Sequence, residues 1–215
     1  MIVLAVDTTA PVIGVAASDG LRTFSRVGRV ERGAEAVLVE WSCEALAALG
    51  ASLRDVAGVG VAMGPGTFTG TRVGLAHGLG IGIANGAQMW PGDGLACRAR
   101  AVGGTMSVLT LLDARRGRAY ASAFSPDGTC THAAADAPLS DALGWMVAPF
   151  VATGEGALLW KDDVERAGGC VAQNADDPAV HVLVADSFAT ISAGQGVPVS
   201  RMTPRYLRAP GVEAR

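Results

Sequence analysis

The sequence predicts an α/β protein of two similar halves. Three observations carry this. The first ninety or so residues read as strand–strand–strand–helix–strand–helix, and the remainder repeats that order more weakly. The chain has 215 residues, long enough to bury about 70% of its unfolded surface in a core. It is 50% hydrophobic and only 17% charged, which excludes a disordered chain.

Ile2–Val6 is a dense apolar run closed by Asp7-Thr8-Thr9. Val12–Ala17 follows, and the Ser18-Asp19-Gly20 turn leads to a third strand, Leu21–Val27. The pattern then becomes helical from Glu31 to Leu49, with Ala34, Leu38, Trp41, Ala45 and Leu49 on one face and Gly50 as the stop. Val56–Met63 is rich in small and β-branched residues, as in a strand buried within a parallel sheet. A glycine-rich loop, Gly64–Gly70, precedes a helix from Thr71 to Asn85.

The second half is read as a short helix over Leu95–Val102 and strands over Thr105–Leu112 and Ala119–Ser125. Pro126-Asp127-Gly128 is a turn, from which Cys130–Ala134 would pair back. Phe150–Thr153 is a further strand stopped by Gly154, and Ser187–Ala193 is helical. The tail, with Pro198, Pro204 and Pro210, is extended. We place one lobe over residues 1–95 and a smaller, divergent lobe over residues 96–215.

Charge excludes little and points nowhere in particular. The net charge of −3 is not the footprint of a protein that binds nucleic acid by itself. Arg115, Arg116 and Arg118 form a local cluster that suits either a solvated turn or a phosphate. The four cysteines are isolated, with neither a C-x-x-C pair nor a disulfide framework. Ile2–Val6 is too short, and lacks the basic leader, to be a signal peptide. No apolar run reaches the roughly 18 residues of a membrane span, so a reducing cytoplasm is expected.

Three features could carry chemistry. Asp7 and Thr8 end the first strand, where an acid can hold a nucleotide–metal complex or simply form a local turn. Gly64, Gly66 and Thr67 belong to the loop Gly64-Pro65-Gly66-Thr67-Phe68-Thr69-Gly70-Thr71-Arg72, between a strand and a helix. Such a loop can offer backbone N–H groups to an anion, or can be a tight turn with a threonine cap. It lacks the Gly-Lys-Ser/Thr of a phosphate-binding P-loop, and the dinucleotide fingerprint fails at Thr69. Third, Gly70, Gly74, Gly78, Gly82 and Gly86 recur every fourth residue along one helix face. Each interior glycine costs roughly 0.5–1 kcal/mol relative to alanine, so close backbone approach must compensate. The approaching surface is either the helix's own sheet or another subunit. His77, His132 and His181 form no metal-ligand spacing, and no catalytic nucleophile motif is present.

Four segments, in order along nearly the whole chain, resemble the bacterial TsaB/YeaZ family. They are the first strand with Asp7-Thr8-Thr9, the Gly64–Gly74 loop, Leu112-Asp113-Ala114-Arg115-Arg116-Gly117 through Tyr120, and Pro204-Arg205-Tyr206-Leu207-Arg208. The resemblance implies an actin-like, sugar-kinase-like fold of two lobes, each a mixed sheet flanked by helices. It implies a non-catalytic scaffold or activator subunit in making threonylcarbamoyladenosine in tRNA, on the adenosine beside the anticodon. The related TsaD subunit holds a metal through a His-x-x-x-His motif, which this chain lacks. The implied partners are TsaD and the ATPase TsaE, with a homodimer when the chain is alone. Contact with tRNA would be indirect, through the complex, and no membrane is involved. No cofactor is implied for the chain itself, with ATP or ADP bound only weakly or in the complex.

By the same resemblance the partner surface lies on the first two helices. That favours an interface for Gly70, Gly74, Gly78 and Gly82, joined by Glu35 and Leu38. Two departures from the family stand out. Gly33 occupies the place of a histidine early in the first helix, and Met89-Trp90-Pro91-Gly92-Asp93-Gly94 replaces an apolar strand followed by serine. The rival readings are a nucleotide-dependent phosphotransferase of the same superfamily, using Asp7, Thr8 and the Gly64–Gly70 loop, and a homodimeric binding module.

Overall fold

In a computed structural model, residues 1–208 are described; Pro210 of the extended tail lies outside them. The chain runs β1 (Ile2–Asp7), β2 (Val12–Ser18), β3 (Thr23–Arg29), α1 (Ala34–Ala47), β4 (Val56–Ala62), α2 (Phe68–Asn85), β5 (Gln88–Gly92) and α3 (Gly94–Val102). It continues through β6 (Ser107–Asp113), β7 (Arg118–Phe124), β8 (Cys130–Pro138), α4 (Leu139–Gly144), β9 (Phe150–Thr153), α5 (Glu155–Leu159), α6 (Lys161–Arg166), β10 (Gly169–Val171) and α7 (Val180–Ser192).

The two sheets have one topology. The first is ordered β3-β2-β1-β4-β5, and the second, read in the same sense, β8-β7-β6-β9-β10. In each, the first three strands form an antiparallel meander and the last two pair in parallel. This duplication is the two-lobed actin-like, sugar-kinase-like architecture. The second lobe is thus complete in its sheet, although its sequence shows the repeat only faintly. Its helices α4, α5 and α6 have five or six residues each, too short for helical periodicity to be read.

In the first lobe, β1 and β4 are buried on both faces, which explains their unbroken apolar runs. One face packs Leu4, Val6, Val59 and Val61 under α1 and α2. The opposite face packs Val3, Ala5 and Ala62 under Val180, Leu183 and Val184 of α7. The C-terminal segment therefore returns to the first sheet. Met89 exchanges two backbone hydrogen bonds with Val197, at 2.8 and 2.9 Å, and the Arg205 N–H donates to the Met63 carbonyl at 2.7 Å. Among the described residues after 96, α7 and the segment through Arg205 therefore pack with the first sheet and not with the second lobe. Helix α7 begins well before the expected Ser187–Ala193; its first turn is rich in β-branched valine, Val180, Val182 and Val184, and has no capping side chain, so sequence signals its start weakly.

The Met89–Gly94 departure also has a local solution. Gln88–Gly92 still forms a parallel strand against β4, with Pro91 tolerated because β5 is the last strand of its sheet. Asp93 does the serine's work: its Oδ1 accepts from Leu95 N–H and Ala96 N–H and caps α3. Gly33 sits at the N-cap of α1 with φ 74°, a left-handed conformation that would strain a histidine.

Candidate functional site

The residues singled out at the end of β1 and in the Gly64–Gly70 loop do meet, but they close on one another. Asp7 is fully buried. Its Oδ1 accepts from the Thr9 N–H at 2.8 Å and from Thr9 Oγ1 at 2.6 Å, an Asx turn. Its Oδ2 accepts from Arg98 Nη1 at 2.8 Å. Thr8 Oγ1 donates to the Gly70 carbonyl at 2.7 Å. The loop then folds over this strand end. The Thr67 N–H donates to the Thr9 carbonyl at 2.8 Å. Thr67 Oγ1 caps α2 through the Gly70 N–H at 3.2 Å.

The glycines are there for clearance. A Cβ on Gly66 would lie 2.6 Å from Thr9 Cβ, one on Gly70 would strike the Thr8 carbonyl, and one on Gly64 would lie 2.7 Å from the Arg205 carbonyl. These contacts weigh against the anion-loop reading of Asp7, Thr8, Gly64, Gly66 and Thr67. The Thr67 and Gly70 N–H groups serve the chain's own strand and helix, and the acid already faces a guanidinium. A nucleotide–metal complex, which the fold class implies, does not fit these residues, because both Asp7 oxygens are engaged. Among the described residues no three or more His, Cys, Asp or Glu gather as metal ligands.

The helix glycines are corrected in the same way. A Cβ on Gly74 would meet Thr8 Oγ1; on Gly78 it would lie 2.5 Å from Val61 Cγ2, and on Gly82 2.6 Å from Met89 Sδ. The stripe faces the chain's own sheet, not another subunit. Leu38 is likewise 0% exposed, inside the first-lobe core. Glu35 is exposed, as the partner reading requires. The outward faces of the two helices carry Val39 at 48% and Ile83 at 68% exposure, together with Gly80, around which a Cβ would find open space. Ser42 Oγ and His77 Nε2, 2.9 Å apart, tie α1 to α2. Burial pushes the His77 pKa below its ordinary value.

Several residues at this junction escaped the sequence reading. Arg98 and Glu155 are the chief ones. Glu155 opens α5, its Oε1 accepts from the Asp113 N–H at 3.2 Å, and burial pushes its carboxyl above the usual range while Arg98 opposes the shift. The only sequence signal for Arg98 is Gly94 one turn earlier, a gap on the same helix face. The C-terminal motif is a strap. Tyr206 Oη accepts from Arg72 Nε at 2.9 Å, and the Arg72 guanidinium lies 3.6 Å over the Phe68 ring. Arg208 pairs with Asp136 at 2.6 Å and donates to the Ala114 carbonyl at 3.2 Å, so the tail crosses from the first lobe to the second. In the arginine cluster, Arg115 pairs with Asp113 and Arg118 with Asp136.

The four segments behind the family resemblance thus form one stitched region: strand end, loop, second-lobe turn and tail. Comparison with known proteins agrees. Residues 30–145 match the family described as TsaD: tRNA N6-adenosine threonylcarbamoyltransferase. The tRNA threonylcarbamoyladenosine biosynthesis protein TsaB of Escherichia coli is 28% identical over 174 residues, 74% of each chain. YeaZ from Pseudomonas aeruginosa superposes with a TM-score of 0.77 at 24% identity, over 96% of this chain and 99% of that one. A second Pseudomonas aeruginosa structure, described as similar to peptidase YEAZ, gives 0.79 at 26% identity over the same shares. The ethanolamine utilization protein EutJ from Carboxydothermus hydrogenoformans shares the fold at 14% identity, with a TM-score of 0.54 over 86% of this chain and 89% of that one. The chain belongs to the TsaD family, and within it to the TsaB/YeaZ type.

Proposed function

We propose that this chain serves in tRNA threonylcarbamoyladenosine biosynthesis as a non-catalytic subunit that docks on a TsaD-type transferase and helps recruit TsaE. The observation that carries the reading is Asp7. The one acid placed to hold a nucleotide–metal complex is spent on an internal turn and an internal ion pair. Chemistry would then reside in the partner, and this chain would supply a surface. The outward faces of α1 and α2 are that surface, with Glu35, Val39, Gly80 and Ile83 exposed on it. Apolar side chains of this kind gain most on burial at an interface centre, and an exposed glycine permits close approach. When the transferase is absent, the same face would pair two copies. Contact with tRNA would come through the complex, and the chain would work in the cytoplasm. No helix among the described residues is long and apolar enough to cross a membrane.

Reconstitution tests this. The transferase, TsaE and the adenylate-forming enzyme are combined with tRNA, threonine, bicarbonate and ATP, and modified adenosine is assayed. Product should require this chain. The Val39→Glu/Ile83→Glu variant should melt like the wild type yet lose transferase binding and product together. Product formed without the chain, or full activity of a soluble, folded double variant, would refute the docking reading.

A further inference from the structure

The partner of Asp7 asks for an explanation that its turn does not give. Arg98 Nη1 donates to Asp7 Oδ2 at 2.8 Å and to the Gly94 carbonyl at 3.0 Å. The two side chains are sealed from solvent, at 1% and 0% exposure. Gly94 makes the room: a Cβ there would stand 2.9 Å from Arg98 Nη1 and 3.1 Å from Asp7 Oδ2. Burying a guanidinium is costly unless the structure uses its charge. Arg98 is not placed for a full set of hydrogen bonds, since its Nε and Nη2 have no partner, and neither has Glu155 Oε2. What its position achieves is charge. One fixed cation on α3 is paired with the buried carboxylate that ends β1, Asp7, and one carboxyl oxygen of the half-buried Glu155, opening α5, is likewise shut from solvent without a partner.

We propose that Arg98 is a resident cation of the lobe junction: it holds the Asp7 oxygen that a divalent cation would need, and so makes the junction independent of metal and nucleotide. The guanidinium supplies the positive charge covalently, and its pairing with Asp7 keeps that oxygen closed to a metal.

The test uses the isolated full chain as wild type, Asp7→Asn, Arg98→Met and Asp7→Asn/Arg98→Met. Manganese binding is read by water-proton relaxation, with and without ATP, and stability by thermal melting. Wild type and Asp7→Asn should give the same manganese response. Arg98→Met leaves the buried Asp7 carboxylate without its cation, so its melting temperature should drop by roughly 6–20 °C. It should recover part of that loss in millimolar manganese and gain a relaxation signal. The double variant should show neither effect of manganese. A wild-type manganese signal that Asp7→Asn abolishes would overturn the proposal, as would a folded Arg98→Met that ignores manganese. If Arg98→Met fails to fold, the wild-type and Asp7→Asn comparison still decides. The proposal rests on the same Asp7 contacts as the docking reading, but reconstitution with the transferase tests docking by a separate readout, so the two can fail apart.

Discussion

Gly78 and Gly80 lie two residues apart in α2, yet the structure assigns them opposite responses to alanine. Both substitutions gain the same helix propensity, about 0.5–1 kcal/mol. At Gly80 nothing lies within 4 Å of the added carbon, so the gain stands alone. Gly80→Ala should raise the melting temperature by about 1–4 °C, at roughly 2–4 °C per kcal/mol for a chain of this size. At Gly78 the added carbon would be 2.5 Å from Val61 Cγ2, on a fully buried β-branched side chain of strand β4. Neither the sheet nor a stiff valine yields cheaply, and overpacking of this kind costs about 1–3 kcal/mol. The net change is a loss of up to about 2.5 kcal/mol, against a gain for its neighbour. Urea and thermal unfolding followed by circular dichroism measure both, and light scattering checks association. Gly78→Ala as stable as Gly80→Ala would refute the inward placement of the stripe. So would a Gly78→Ala protein of unchanged stability that loses only self-association, because that outcome belongs to a glycine face turned toward a partner.

Two further outcomes follow from the same geometry. His77 titrates below its ordinary value because it is buried, so the folded state prefers it neutral. Stability from this group is whole above about pH 6.5 and falls as pH drops below it; His77→Gln should flatten the urea-midpoint profile between about pH 7 and 5, and an unchanged slope would count against it. Asp93→Ala removes the cap of α3 and the ion pair with Arg205, and should cost about 1–2 kcal/mol. Asp93→Ser keeps a cap and should lose less; equal losses in urea denaturation would show that the cap contributes nothing.

Much of the first lobe was legible because its elements obey local rules. β1 and β4 are long apolar runs, α1 has a periodic face, and Thr67 caps α2 as threonine before a helix does. The second lobe was harder for a physical reason. Its helices are too short to show a period, and α7 is held by the first sheet more than by its own sequence. The strand end and the loop meet in the structure, but sequence leaves their role open, since a glycine-rich turn looks the same whether it admits an anion or a neighbouring backbone. Only the position of the Thr8 and Thr9 carbonyls separates the two. For Arg98 the neighbouring sequence offers only the gap at Gly94. Its meaning depends on Asp7, 91 residues away in sequence.

The duplication of the fold sharpens that last point into a comparison. β1 and β6 hold the same place in their sheets, and each ends in an aspartate, Asp7 and Asp113. Each aspartate is paired with an arginine, but the settings differ. Arg98 and Asp7 are sealed, at 1% and 0% exposure, whereas Arg115 is 79% exposed and Asp113 18%. Water screens the second pair, so it should contribute at most about 1 kcal/mol. Breaking the first strands a buried charge and should cost about 3–5 kcal/mol. Arg115 also sits at φ 68°, so Arg115→Gly should relieve local strain as it removes the pair, leaving stability nearly unchanged. Urea unfolding of Arg115→Gly beside Arg98→Met measures the contrast. Equal losses would mean that burial does not set the weight of these pairs, and the assignment of Arg98 as the cation on which the junction depends would lose its physical basis.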